Sequence, residues 1–115
     1  MQRGEVVLVD LDPARSGEAD KLRPAVVVSN DGANTTAARL GRGVVTVVPL
    51  STSVDRVYPF QVLVPAGDAG LEQDSKAQAE QVRSISVDRV TATIGRIPID
   101  RMIQLDEALR LHLAL

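Results

Sequence analysis

Five short apolar runs, each broken off by proline or glycine, set the first constraint on what this chain can fold into. Glu5-Val6-Val7-Leu8-Val9-Asp10-Leu11 stops at Asp12-Pro13. Ala25-Val26-Val27-Val28-Ser29, led in by Arg23-Pro24, stops at Asn30-Asp31-Gly32. Val44-Val45-Thr46-Val47-Val48 stops at Pro49-Leu50, Phe60-Gln61-Val62-Leu63-Val64 at Pro65-Ala66-Gly67, and Thr91-Ala92-Thr93-Ile94-Gly95-Arg96-Ile97 at Pro98. β-Branched residues suit a pleated, half-buried surface, whereas proline and glycine interrupt it, so each run reads as a strand closed by a turn. The second run has no polar alternation, which predicts a strand covered on both faces. The Asn30-Asp31-Gly32 stop reads as a turn, because all three residues tolerate the left-handed backbone.

Between these runs the signals are weaker. Ala33 to Leu40 has the length of a short helix, weakened by Thr35 and Thr36 and broken by Gly41 and Gly43. A further short strand fits around Ser75 to Ala79, and Ser86-Val87-Asp88-Arg89 reads as one helical turn capped by Ser86. The tail is the clearest helix. Asp100 suits its N-cap, and Met102, Leu105, Leu109 and Leu113 recur at spacings of three and four residues to form one apolar stripe opposite Asp106, Glu107 and Arg110. A mainly β chain with one terminal amphipathic helix is most simply a small, curled, partly barrel-like sheet with that helix packed on it. At 115 residues it suits a single domain, residues 1–115.

Composition narrows the chemistry. There is no cysteine, which removes thiol nucleophiles, CxxC redox chemistry and thiolate zinc sites. His112 is the single histidine, so one subunit holds no His pair, His triad or multi-His metal site. At the end of a helix it reads as structural. No stretch approaches the roughly 18 apolar residues of a membrane span, and the first residues lack the apolar core of a signal peptide. The expected address is the cytoplasm. A net charge of −2 argues against coating nucleic acid by bulk electrostatics. Local charge differs, however, since Arg39 to Arg56 and Lys76 to Arg101 each carry a net of +2. An acidic average can therefore conceal a positive groove.

Four segments in order carry a family resemblance. Arg3-Gly4-Glu5-Val6-Val7 running into Asp10-Leu11-Asp12-Pro13, Lys21-Leu22-Arg23-Pro24 with its apolar strand, Val48-Pro49-Leu50-Ser51-Thr52, and Ala79-Glu80-Gln81-Val82-Arg83-Ser84-Ile85 together resemble the MazF/PemK (Kid) toxins along almost the whole chain. The resemblance implies a small SH3-like (CcdB/PemK-type) barrel with a C-terminal helix. It also implies the toxin of a type II toxin–antitoxin pair, a homodimeric, sequence-specific endoribonuclease that needs neither metal nor cofactor and is blocked by a cognate MazE-like antitoxin. Its substrate would be single-stranded RNA: mRNA, with tRNA and rRNA as alternatives. In most such enzymes the substrate's own 2′-OH attacks the adjacent phosphate.

That reaction needs help in removing a proton, donors for a negatively charged phosphorane, and a proton for the leaving oxygen. Arg23 is the obvious anion stabiliser, since a guanidinium offers a planar fork of donors to phosphate oxygens. The following Pro24 biases Arg23 toward an extended backbone and so fixes where its side chain emerges. Ser51 aligns with the family's active-site hydroxyl, where Thr is commoner, and the division of labour between Ser51 and the adjacent Thr52 stays open. Arg23, Ser51 and Thr52 are thus the catalytic candidates. Glu80 stands where some members carry an Asp with a base-like role, but the Arg two residues earlier in those members is Gln78 here, and the first loop has no His. Glu80 is therefore expected to orient RNA or pair with an arginine. Gln81 is expected to read a base edge, and Glu18 matches an acidic family position facing substrate. Tyr58 and Phe60 have the chemistry to stack on bases, although the core and a dimer interface compete for them.

Taken singly, Arg23 is an ordinary surface cation, Ser51-Thr52-Ser53 ordinary turn chemistry, and Glu80-Gln81 solvated polar positions. A competing reading on the same fold is a CcdB-like toxin that poisons DNA gyrase without cutting RNA. A third is a catalytically dead module that binds RNA without cleaving it or sequesters the antitoxin.

Overall fold

The computed structural model describes residues 1–11 and 22–115. Seven antiparallel strands are joined in the order β4-β5-β3-β2-β1-β7, with β6 also paired to β3. They are β1 (Glu5–Asp10), β2 (Leu22–Val27), β3 (Val44–Ser51), β4 (Gln61–Val64), β5 (Ser75–Gln78), β6 (Arg83–Ser86) and β7 (Val90–Arg96). Helix α1 (Asp31–Leu40) follows β2, and α2 (Ile99–Leu113) ends the fold.

The centre of the sheet is apolar on both faces, as the uninterrupted valine runs require. Alternate residues go to opposite sides. Val6, Val26, Val48 and Leu50 pack on one face with Val62, Val64, Leu71, Ala77 and, from α2, Leu105 and Ala108. Val7, Val9, Ala25, Val27, Val45 and Val47 pack on the other with Ala37 of α1 and with Ile85 and Val87. One helix therefore seals each face. Met102 and Leu109 of the expected stripe lie against the α2 core, while Leu113 is half exposed.

Several local expectations change in physically instructive ways. Asn30-Asp31-Gly32 is the start of α1: the Asn30 side chain accepts from Ala33 N at 2.8 Å, an N-cap bond, and Thr35 and Thr36 are carried inside the helix. Gly41 ends it with φ of 65°. β3 runs on through Pro49. Along one edge its partner changes from β6, opposite Val44–Val47, to β5, opposite Leu50–Ser51, and Pro49, which has no N–H, falls at the changeover. Ser86 stands before the 87–89 turn without a side-chain cap bond. At α2, Pro98 holds the N-cap position and Asp100 lies inside the first turn, where its charge faces the positive end of the helix dipole.

Two glycines mark a close approach. The 68–70 turn presses backbone to backbone on β7, and a Cβ built on Gly95 would stand 2.4 Å from the Ala69 carbonyl. Arg3 ties the N-terminal segment down, with Nε donating to Val28 O at 2.8 Å and Nη2 to Asp106 Oδ1 of α2 at 2.5 Å.

Candidate nucleic-acid interface

The strand ends of β2, β3, β5 and β6 converge on one groove of about 480 Å³, lined by Leu11, Arg23, Pro49, Leu50, Ser51, Gln78, Gln81 and Arg83. Arg23 is exposed on β2, where it pairs with Val9, while the three residues that end that strand are fully buried. The exposed guanidinium is thus carried on a backbone that packing has fixed. Ser51 closes β3 half-buried, and its Oγ accepts from Ser53 N at 3.2 Å, which leaves its own proton free to donate. Thr52 is exposed one residue beyond the strand and does not line the groove. Of the two hydroxyl candidates, Ser51 is the one the fold presents.

The remaining candidates separate. Gln81 lines the groove from the 79–81 turn, and Gln78 joins it from the end of β5. Glu80 does not. Its Oε2 accepts from Gln61 Nε2 at 2.6 Å on β4, and its Oε1 is buried with no hydrogen-bond partner. Glu18 lies outside the described residues. Arg83 takes the place of a second cation, at the start of β6 opposite Val47. Arg83 stands in the last of the four family-like segments, and the weak β6 signal in the sequence hides that this segment pairs with β3 at the groove.

Among the described lining residues there are two arginines, two glutamines and a hydroxyl, and no carboxylate. Guanidinium forks match phosphate oxygens in geometry and charge, and side-chain amides offer both donors and acceptors. His112, on the exposed end of α2, is not among them.

An antiparallel sheet with a terminal helix and a groove lined by two arginines defines a small, mainly β protein with a cationic cleft. The PemK-like, MazF-like toxin of type II toxin–antitoxin systems matches residues 2–113, and the chain belongs to that family. It is 61% identical, over 100% of its length and 98% of the relative's, to endoribonuclease MazF9 of Mycobacterium tuberculosis. It is 31% identical, over 100% of its length and 96% of the relative's, to endoribonuclease EndoA of Bacillus subtilis. Among solved structures, an endoribonuclease in complex with its cognate antitoxin from a mycobacterial species superposes with a TM-score of 0.78 at 25% identity, covering 100% of this chain and 96% of that one.

Proposed function

We propose that this toxin is a sequence-specific endoribonuclease that cleaves single-stranded RNA in the groove between Arg23, Ser51 and Arg83, by attack of the substrate's 2′-OH on the adjacent phosphate. The observation that carries the reading is the convergence of both arginines and Ser51 on one groove, in a chain whose full-length relatives are named endoribonucleases. In the reaction the 2′ oxygen bonds to phosphorus, the P–O5′ bond breaks, the 2′ proton leaves and the 5′ oxygen is protonated. The products are a 2′,3′-cyclic phosphate and a 5′-OH end.

Arg23 and Arg83 stabilise the charge that builds on the phosphorane. Ser51 donates to a phosphate oxygen or orients the 2′-OH, since an unactivated serine is too weak a base to remove its proton. Gln78 and Gln81 read the neighbouring bases. Glu80 acts on them from beneath, by holding Gln61 and the 79–81 turn, without touching RNA. The nucleophile, the leaving group and their stabilisers all come from the substrate and these side chains, so the reaction is expected to run without a metal ion.

The unit is residues 1–115 acting as a homodimer in the cytoplasm, on mRNA first, with tRNA or rRNA as further substrates. Exposed Ile99, Ile103 and Leu111 on α2, with Leu115 just beyond its end, supply apolar surface for a second copy to cover. A MazE-like antitoxin blocks the groove with an acidic segment that orders as it binds. No helix among the described residues is long and apolar enough to cross a membrane.

Incubation with a long single-stranded RNA in excess EDTA tests the reading. Discrete fragments with 5′-OH ends are expected, with Arg23→Ala lowering the rate by about 10²–10³-fold, as loss of one oxyanion donor does. Intact RNA at doses that arrest growth, with stalled DNA supercoiling, would instead favour the gyrase-poisoning alternative, for which no feature of the groove argues.

A further inference from the structure

One polar and aromatic cluster lies next to the groove without lining it. Lys76 of β5 is directly opposite Ser51 of β3. Its side chain is buried, 8% exposed, and Nζ donates to the Arg56 carbonyl at 2.8 Å. That bond ties the 52–60 segment to β5, and Gln61, whose Oε1 accepts from Tyr58 N at 3.1 Å, ties it to β4. The segment is held in place by buried polar groups, and what it displays is an aromatic pair. The rings of Tyr58 and Phe60 stack with centroids 5.3 Å apart and planes 8° from parallel.

Two cations flank the outer ring. The Arg56 guanidinium carbon is 5.8 Å from the Tyr58 centroid and Lys76 Nζ is 5.9 Å from it. Neither cation forms an ion pair with a described residue. Tyr58 is 40% exposed although it is one of only two aromatic residues in the chain. A stacked, half-exposed ring beside two cations, one strand away from the hydroxyl of the proposed cleavage site, matches what a nucleotide needs: a π face for the base and positive charge for the phosphate.

We propose that Tyr58, backed by Phe60 and with Arg56 beside it, is a second nucleotide subsite that takes a base of the RNA strand flanking the cleaved step. Lys76 is the positioning residue that fixes it relative to Ser51. The base stacks on the exposed phenol ring, and the exposed Arg56 guanidinium, whose Nη1 now donates to the Tyr58 hydroxyl at 3.3 Å, moves to that nucleotide's phosphate. The subsite rests on the proposed RNA function, and it contributes binding rather than chemistry.

Its test uses the full chain, which has one tyrosine and no tryptophan, so intrinsic emission reports on Tyr58 alone. The probe is a mixed-sequence, fully 2′-O-methylated RNA of about 12 nucleotides, a length within the span of known single-strand sites. Tyrosine emission should fall on titration with the same midpoint as the fluorescence anisotropy of a labelled copy of that RNA. Tyr58→Ala should weaken binding roughly tenfold, the usual scale for losing one stacked base, while Tyr58→Phe keeps it within about twofold. Lys76→Met should shrink the quench while the protein still unfolds in one transition, and if that variant does not fold, the two Tyr58 variants carry the test. Anisotropy that reports binding while emission stays unchanged, with Tyr58→Ala binding as the wild type does, overturns the subsite. Cleavage in EDTA with an unquenched tyrosine overturns the subsite and leaves the nuclease reading standing; quenching without cleavage does the reverse. No binding at all overturns both.

Discussion

The same strands have two different ends. Within β2, Ala25, Val26 and Val27 are wholly buried, yet Arg23, two residues before them, is exposed in the groove. Within β3, Val47 and Val48 are wholly buried and Ser51 closes the strand at the groove. The buried halves carry no charge and are packed on both faces, and the groove ends carry the polar side chains, Arg23 and Ser51. Rigidity and polar chemistry are thus divided along each strand, so damage to one half should leave the other measurable.

The largest expected break is in the buried half. Leu105 of α2 is fully buried in the core that it shares with Val26, Val48 and Val62, and Leu105→Ala should cost about 2–5 kcal/mol in chemical denaturation, the range for leucine cavities. Protein that remains folded should keep its per-molecule RNA cleavage. The converse break is Arg23→Ala, which should remove most cleavage and leave the denaturation midpoint within about 0.5 kcal/mol, as surface changes away from packing do. If Arg23→Ala unfolds the protein, the division along the strand is wrong.

Gly95→Ala is a smaller structural probe. Its new Cβ has no room beside the Ala69 carbonyl, so a destabilisation of about 1–3 kcal/mol is expected, as for other overpacked sites. Thermal melts would show it, and an unchanged melting temperature would mean that the 68–70 turn does not press on β7. The smallest effect sharpens the groove itself. Ser51→Ala should slow cleavage measurably, while Thr52→Ala, outside the groove, should change it less than about twofold; the reverse order in single-turnover assays would move the hydroxyl role to Thr52.

How much of this was legible in the sequence follows the same division. The buried halves announced themselves, because an unbroken valine run has one stable use at this length, a strand covered on both sides. Arg23 and Ser51 were legible through short motifs at strand ends. Asn30-Asp31-Gly32 misled because residues that favour a turn also favour an N-cap, and only the packing of Ala37 beneath the sheet decides between them. β6 was missed, and Arg83 with it, because Arg83-Ser84-Ile85-Ser86 buries only Ile85 and its strand state is imposed by β3. From its place in a motif Glu80 is expected to orient RNA or pair with an arginine; a three-residue turn brings it to Gln61, and a turn of that length leaves no periodic signal.

In the proposed reaction the groove of Arg23, Ser51 and Arg83 holds an RNA phosphate while the substrate's own 2′-OH attacks it. The most direct test is to map one cut site by primer extension, replace the ribose on the 5′ side of that cut by 2′-deoxyribose, and incubate the oligonucleotide with wild-type protein in EDTA. The account predicts that this position becomes fully resistant while neighbouring all-ribose sites are still cut to 5′-OH ends. Cleavage at the deoxy position, or products with 3′-OH ends, would contradict it.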